Sequence, residues 1–144
     1  MEVRKVTDSF SVSPQIAPAD LATLKQQGFA LVINNRPDGE EANQPSAAEI
    51  EAAAREAGIA YRAIPVSGGF SQGQASEMAD AMEGAGGKVF AFCRTGTRST
   101  LLWSLALASK GGDPEAIAAA AAGAGYDIAP VRGAVEQLAA GARA

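Results

Sequence analysis

The stretch KVFAFCRTGTRSTLLW, residues 88–103, carries the only cysteine of a 144-residue chain that has no histidine. Residues 88–93, KVFAFC, are a short run rich in apolar and aromatic side chains, which reads as a buried strand. The polar segment CRTGTRS follows, and STLLWSLALASKG then has the composition of a helix. In a strand, tight loop and helix met in that order, the N–H groups of the first helical turn have no partners inside the helix. The helix dipole adds partial positive charge at the same point. A loop eased by Gly96 can curl these N–H groups around one centre, making a cradle for an oxyanion or for ionised sulfur. Cys93 at the rim of such a cradle is expected to be a nucleophile that needs no histidine base. Arg98 can make a two-pronged contact to an anionic substrate. The Ser99 hydroxyl is expected to reach the sulfur and help it leave a covalent intermediate. Arg94, Thr95, Gly96 and Thr97 complete the anion-binding loop. The alternative is that Cys93 is a small buried hydrophobe at the end of a core strand. Two arginines, a glycine, two threonines and a serine beside it favour the reactive reading.

Outward from this stretch, strands and helices alternate. FALVINNR (29–36) is a second β-branched, apolar run, and IAYRAIPV (59–66) a third. Residues 2–13 alternate weakly, as one strand would. Pro18 and Asp20 open a helix that Gly28 ends. Ser46 with Glu49 forms a capping box for a helix that ends at Gly58. Helices are also predicted over QASEMADAMEGA and over DPEAIAAAAAGAG, the latter opened by Asp113 and Pro114. The alternation predicts a three-layer α/β/α fold with a central, mostly parallel sheet covered on both faces. Sites in such sheets form at the carboxyl ends of strands. Loops 36–45, 67–74 and 93–99 should therefore gather at one edge.

Composition narrows the function. The length suits one domain, spanning 1–144. Apolar residues make up 47%, charged residues 19%, and the net charge is −4. This argues against nucleic acid or an anionic membrane as partner. One cysteine and no histidine leave little for a zinc site or a disulfide, so no metal or other cofactor is expected. The chain reads as cytoplasmic, with a small anionic substrate or a phosphoprotein as its partner. Its oligomeric state is left open.

CRTGTRS resembles the active loop of rhodanese sulfurtransferases, Cys-Arg-Ser-Gly-x-Arg-Ser. It also resembles, one residue short, the Cys-x5-Arg-Ser/Thr signature of protein tyrosine and dual-specificity phosphatases. Beyond the loop, SPQIAPADL, QGFALVINNRPDGEEANQPS, AGIAYRAIPV and GYDIAP resemble the phosphatase-like domain of the beta-lactamase hydrolase-like proteins from about Val12 to Gln137. That resemblance implies a dual-specificity-phosphatase-like fold, Cys93 as nucleophile and Arg98 as anion binder. Two features depart from the phosphatase pattern. Four residues, not five, separate Cys93 from Arg98. The region expected to carry an aspartate acid reads PVSGGFSQG and holds no carboxylate, and Phe92 stands where those enzymes have histidine. RPDGEE offers Asp38, Glu40 and Glu41 as a displaced general acid, or simply a solvated turn, with Arg36 offsetting their charge. Tyr126 and Asp127 either reach the site or brace a helix. Three functions follow: a cysteine-dependent phosphatase, a sulfurtransferase carrying a Cys93 persulfide, and a non-catalytic anion-binding module.

Overall fold

In the computed structural model, which describes residues 1–143, five strands form one sheet in the order β1-β2-β5-β3-β4. The strands are β1 (Arg4–Thr7), β2 (Phe10–Ser13), β3 (Phe29–Asn34), β4 (Ala60–Ala63) and β5 (Lys88–Phe92). The helices are α1 (Asp20–Gln26), α2 (Ala47–Ala57), α3 (Gln72–Glu83), α4 (Thr97–Ser109), α5 (Pro114–Gly123) and α6 (Arg132–Arg143). Strands β2, β5, β3 and β4 run parallel, and only β1 is antiparallel to its neighbour. The fold class is the mixed α/β arrangement, with a mostly parallel central sheet, that the alternation predicts.

Side chains divide between the two sheet faces with the period of two that a strand imposes. Leu31, Ile33, Val89 and Ala91 point into a core built with α3, α4, α5 and α6. Val32, Phe90 and Phe92 point the other way and pack on Leu21 and Leu24 of α1 and Ile50 and Ala54 of α2. Because β5 is central and buried on both faces, its carboxyl end is fixed from both sides. Cys93 is the next residue.

Local signals set the helix ends. Ser46 accepts from the Glu49 N–H while Glu49 reaches back to the Ser46 N–H, and Gly58 closes α2 in the left-handed conformation. Asp113 caps α5 and Pro114 occupies its first turn. Ser71 and Gln74 form a second capping box, so α3 starts two residues before the segment read as helical. The weak strand expected over 2–13 is instead a hairpin: β1 and β2 pair antiparallel through Arg4 with Val12 and Thr7 with Phe10. Helix α6 has no counterpart in the sequence reading. Its glycines, Gly133 and Gly141, lower helix propensity, yet Val135, Leu138 and Ala139 lie on one stripe, and Val135 and Ala139 are buried. Among the described residues, no helix is long and apolar enough to cross a membrane.

Candidate active site

Beyond Phe92 the chain leaves the sheet and turns back on itself before α4 begins at Thr97. Gly96 makes the turn with φ +91°, a left-handed conformation that L side chains rarely adopt. This fold-back carries the Gly96 N–H to Cys93, where it donates to Sγ at 3.1 Å. The first backbone bond of α4 runs from the Thr100 N–H to the Gly96 carbonyl at 3.0 Å, and the Thr100 hydroxyl donates to the same oxygen at 2.9 Å. The Arg98 and Ser99 N–H groups therefore sit in the first turn, where no helical carbonyl can accept from them. Thr95 Oγ1 bonds Thr97 Oγ1 at 3.0 Å and accepts weakly from the Thr97 N–H. Cys93 is fully buried in this arrangement. Ser99 Oγ is also buried and has no hydrogen-bond partner among the described residues, so its donor is uncommitted.

Arg98 reaches over this loop. Its Nη1 donates to Glu40 Oε2 at 2.8 Å and its Nη2 to Glu40 Oε1 at 2.7 Å. A second Nη1 bond goes to the Val66 carbonyl at 2.9 Å. A guanidinium carries five N–H donors, and these three bonds use the end edge and the outer Nη1–H. The side edge, Nε–H with the remaining Nη2–H, makes no hydrogen bond to an oxygen among the described residues, and the guanidinium lies close to the Cys93 sulfur. That edge has the spacing that takes two oxygens of one anion. Glu40 and Cys93 both raise the Arg98 pKa above its usual value, Glu40 more strongly.

Glu40 is shared. Its Oε1 also accepts from Arg36 Nε at 2.9 Å. The Arg98 hydrogen bonds, with Arg36 assisting, outweigh desolvation and lower the Glu40 pKa to about 2. Arg36 is buried and spends its other donors on the protein, Nη1 on Gln15 Oε1 at 3.0 Å and Nη2 on Glu41 Oε1 at 2.7 Å. The more exposed Arg94 lies with Nε 3.3 Å from Glu41 Oε1. Asp38 does not join the cluster: its Oδ1 accepts from the Ala47 N–H at 2.8 Å, at the start of α2.

Two of the three loops expected at one sheet edge are thus tied directly, by Glu40 with Arg98 and by Glu41 with Arg94. The third is reached at its border, through the Val66 carbonyl. The structure brings Gly96 and Arg98 to Cys93, with Arg94, Thr95 and Thr97 on the same loop. The Ser99 hydroxyl, expected to reach the sulfur, makes no hydrogen bond to it, because it is enclosed in the first turn of α4 without a partner among the described residues. Arg36 is in the cluster, turned toward protein carboxylates. Sequence reasoning offered Glu40 as a displaced general acid or as part of a solvated turn, whereas its contacts make it the group that holds Arg98. It also left Tyr126 undecided, and Tyr126 Oη donates to the Thr95 carbonyl at 2.9 Å. A groove of about 1070 Å³ among Phe70, Leu105, Val131 and Leu138 shares no residue with the cysteine loop. Among the described residues, no group of three His, Cys, Asp or Glu side chains is arranged to hold a metal ion.

Comparison with known proteins identifies the family and the fold. Residues 2–110 match the family model described as "Beta-lactamase hydrolase-like protein, phosphatase-like domain". A beta-lactamase hydrolase-like protein of Agrobacterium fabrum is 38% identical over 112 residues, which are 77% of this chain and 26% of that protein. The chain therefore spans about a quarter of the length of that relative. A crystal structure from Neisseria meningitidis, described as a candidate phosphatase, superposes with a TM-score of 0.82 at 31% identity, covering 96% of this chain and 99% of the other. Tk-PTP, in its active form, shares the fold at 21% identity, with a TM-score of 0.70 over 96% of this chain and 96% of its own. The fold is that of the protein tyrosine phosphatase-like phosphatases, and the chain belongs to the phosphatase-like domain family of the beta-lactamase hydrolase-like proteins.

Proposed function

We propose that this chain is a cysteine-dependent phosphatase that hydrolyses phosphate monoesters through a phosphocysteine at Cys93. One observation carries the reading: Cys93 Sγ accepts the Gly96 N–H at 3.1 Å and lies close to the Arg98 guanidinium, whose end edge is held by Glu40. A donor N–H on the sulfur and a guanidinium close to it are the surroundings in which a cysteine acts as nucleophile. The sulfur attacks phosphorus, the P–O ester bond breaks, and the electron pair leaves on the alcohol or phenol oxygen. Arg98 and the first-turn N–H groups of α4 hold the non-bridging oxygens as charge builds on them. Water then attacks phosphorus, the S–P bond breaks, and orthophosphate leaves with the thiolate regenerated.

Glu40, with its pKa held near 2, stays ionised at neutral pH and cannot protonate a leaving oxygen. Asp38 is engaged at the start of α2. The reading therefore favours esters whose leaving group is already a weak base, aryl phosphates over alkyl phosphates.

The test is hydrolysis of p-nitrophenyl phosphate by the purified chain, beside Cys93→Ser and Arg98→Lys. Cys93→Ser should abolish turnover. Arg98→Lys keeps the charge but loses the paired donors, and should lower kcat/KM by about 100-fold. Turnover that survives Cys93→Ser refutes the mechanism.

The short Cys-x4-Arg loop supports a second reading, sulfur transfer. There Cys93 takes the outer sulfur of thiosulfate, releases sulfite, and passes the sulfur to cyanide as thiocyanate. Thiocyanate formation without phosphate release would favour it, as would a mass increase of one sulfur atom on the resting protein.

A further inference from the structure

The cysteine loop is propped from below by a side chain far away in sequence. Tyr126 lies between α5 and α6 and is buried. Its hydroxyl donates to the Thr95 carbonyl at 2.9 Å and accepts from Arg4 Nη1, on β1, at 2.6 Å. The Arg4 guanidinium also stands over the Tyr126 ring, 5.3 Å from its centroid. The same hydroxyl fills the space where Gly96 would carry a side chain: a Cβ built on Gly96 would overlap Tyr126 Oη and sit 3.0 Å from Cζ. One oxygen atom thus touches the loop at two consecutive residues.

The consequence follows from the planarity of the peptide unit. The Thr95 carbonyl and the Gly96 N–H belong to one peptide and point in opposite directions. With the carbonyl anchored on Tyr126, the N–H must face the other way, and there it meets Cys93 Sγ. Rotation of that peptide would aim a carbonyl oxygen at the sulfur and its anionic guest. Arg4 restricts the hydroxyl in turn, because an oxygen accepting from Arg4 has its one proton left for Thr95. Burial raises the Tyr126 pKa, the nearby Cys93 adds to this, and Arg4 opposes both.

We propose that Tyr126, set by Arg4, is a positioning residue that locks the Thr95–Gly96 peptide with its N–H toward Cys93. Its effect on turnover rests on the phosphatase reading, whereas its effect on the loop does not. Tyr126 touches no reacting atom and acts through this one peptide.

The experiment compares wild type, Tyr126→Phe and Arg4→Met by three measurements: p-nitrophenyl phosphate kinetics, inhibition by orthophosphate, and hydrogen exchange at the Gly96 and Thr97 amides. Tyr126→Phe keeps the ring and removes the strut. It should lower kcat/KM about tenfold, chiefly through kcat, and raise the orthophosphate inhibition constant by a similar factor. Exchange at Gly96 should quicken about tenfold, while amides of β3 and β5 keep wild-type protection. Arg4→Met should show the same pattern at about threefold, and it serves as the decisive variant if Tyr126→Phe does not fold. Uniformly faster exchange in all elements would mean that Tyr126 is only structural and would overturn the proposal. Wild-type exchange at Gly96 in Tyr126→Phe would overturn it too. If wild type does not hydrolyse the ester, the phosphatase reading fails, and the exchange pattern alone still decides whether the strut exists.

Discussion

Glu40 and Arg98, fifty-eight positions apart, are joined end to end by two hydrogen bonds of 2.8 and 2.7 Å. The pair fixes which edge of the guanidinium meets the cysteine loop. An arginine held by its end edge presents its side edge to an incoming anion without first losing rotamer freedom. In the proposed mechanism Glu40 thereby serves as an ionised group, the opposite of what a general acid requires.

Glu40→Gln separates these two roles. The amide cannot accept two hydrogen bonds from Arg98 in the same geometry, so Arg98 loses its fixed orientation. We expect kcat/KM for p-nitrophenyl phosphate to fall about tenfold. The loss should be similar for a nitrophenyl ester and for a phenyl ester, whose leaving group is more basic. A loss that grows steeply with leaving-group basicity would instead make Glu40 the proton donor. Steady-state kinetics over a short series of aryl phosphates distinguishes the two.

The same carboxylate makes stability depend on acid. Its folded pKa of about 2 lies below the unfolded value, so its contribution is fully present above about pH 4.5. It is lost as pH falls through the folded value near 2. The side chain is 30% exposed, so solvent screening keeps the contribution to about 1 kcal/mol. Urea unfolding of wild type and Glu40→Gln between about pH 2 and 6 should give a stability difference that shrinks by this amount toward low pH. A difference that does not vary with pH would contradict the depressed pKa.

Beneath the site, the ring of Trp103 on α4 stacks on Phe10 of β2, with centroids 5.6 Å apart and planes within 8°. The contact joins the helix that follows the cysteine loop to the strand beside β5. Trp103→Ala should cost about 3–5 kcal/mol, as deletion of a large buried aromatic does. Chemical denaturation measures it, and a loss below about 1 kcal/mol would mean that the surrounding core closes over the gap.

How far the sequence could be read depended on the range of each interaction. The parallel sheet was legible because β3 and β5 are short apolar runs bounded by polar loops, and Ser46, Gly58 and Asp113 mark helix ends within a few residues. The cysteine loop was legible for the same reason, since Cys93, Gly96 and Arg98 lie within six consecutive positions. Contacts made across the fold left no local trace. RPDGEE holds three carboxylates of similar character. What separates them is that Asp38 meets the Ala47 N–H while Glu40 meets Arg98, and both distinctions depend on the folded path of the loop. Tyr126 is thirty-one positions from Thr95, and nothing in its neighbours marks its hydroxyl for that carbonyl. The N-terminal hairpin was hidden differently. Its two strands of four residues each, joined by a tight turn, carry too little alternation to be split.

Gly96→Ala tests the turn itself. Alanine at φ +91° is strained by about 1 kcal/mol or more, and its methyl group would overlap Tyr126 Oη and stand 3.0 Å from Cζ. The turn must open or Tyr126 must retreat, and either movement withdraws the Gly96 N–H from Cys93. We expect a stability loss of about 3 kcal/mol and a fall in kcat/KM of about 100-fold, the scale for losing one preorganised donor. Adding Tyr126→Phe removes the nearest clashing atom but leaves the strained φ and the ring carbon. The double variant should therefore be more stable than Gly96→Ala by about 1 kcal/mol while remaining as inactive, because neither change restores the anchored peptide. Urea unfolding and p-nitrophenyl phosphate kinetics on the four proteins of this cycle measure both quantities. Strict additivity of the two stability losses would show that Tyr126 does not press on Gly96, and wild-type turnover in Gly96→Ala would show that the loop does not need this turn.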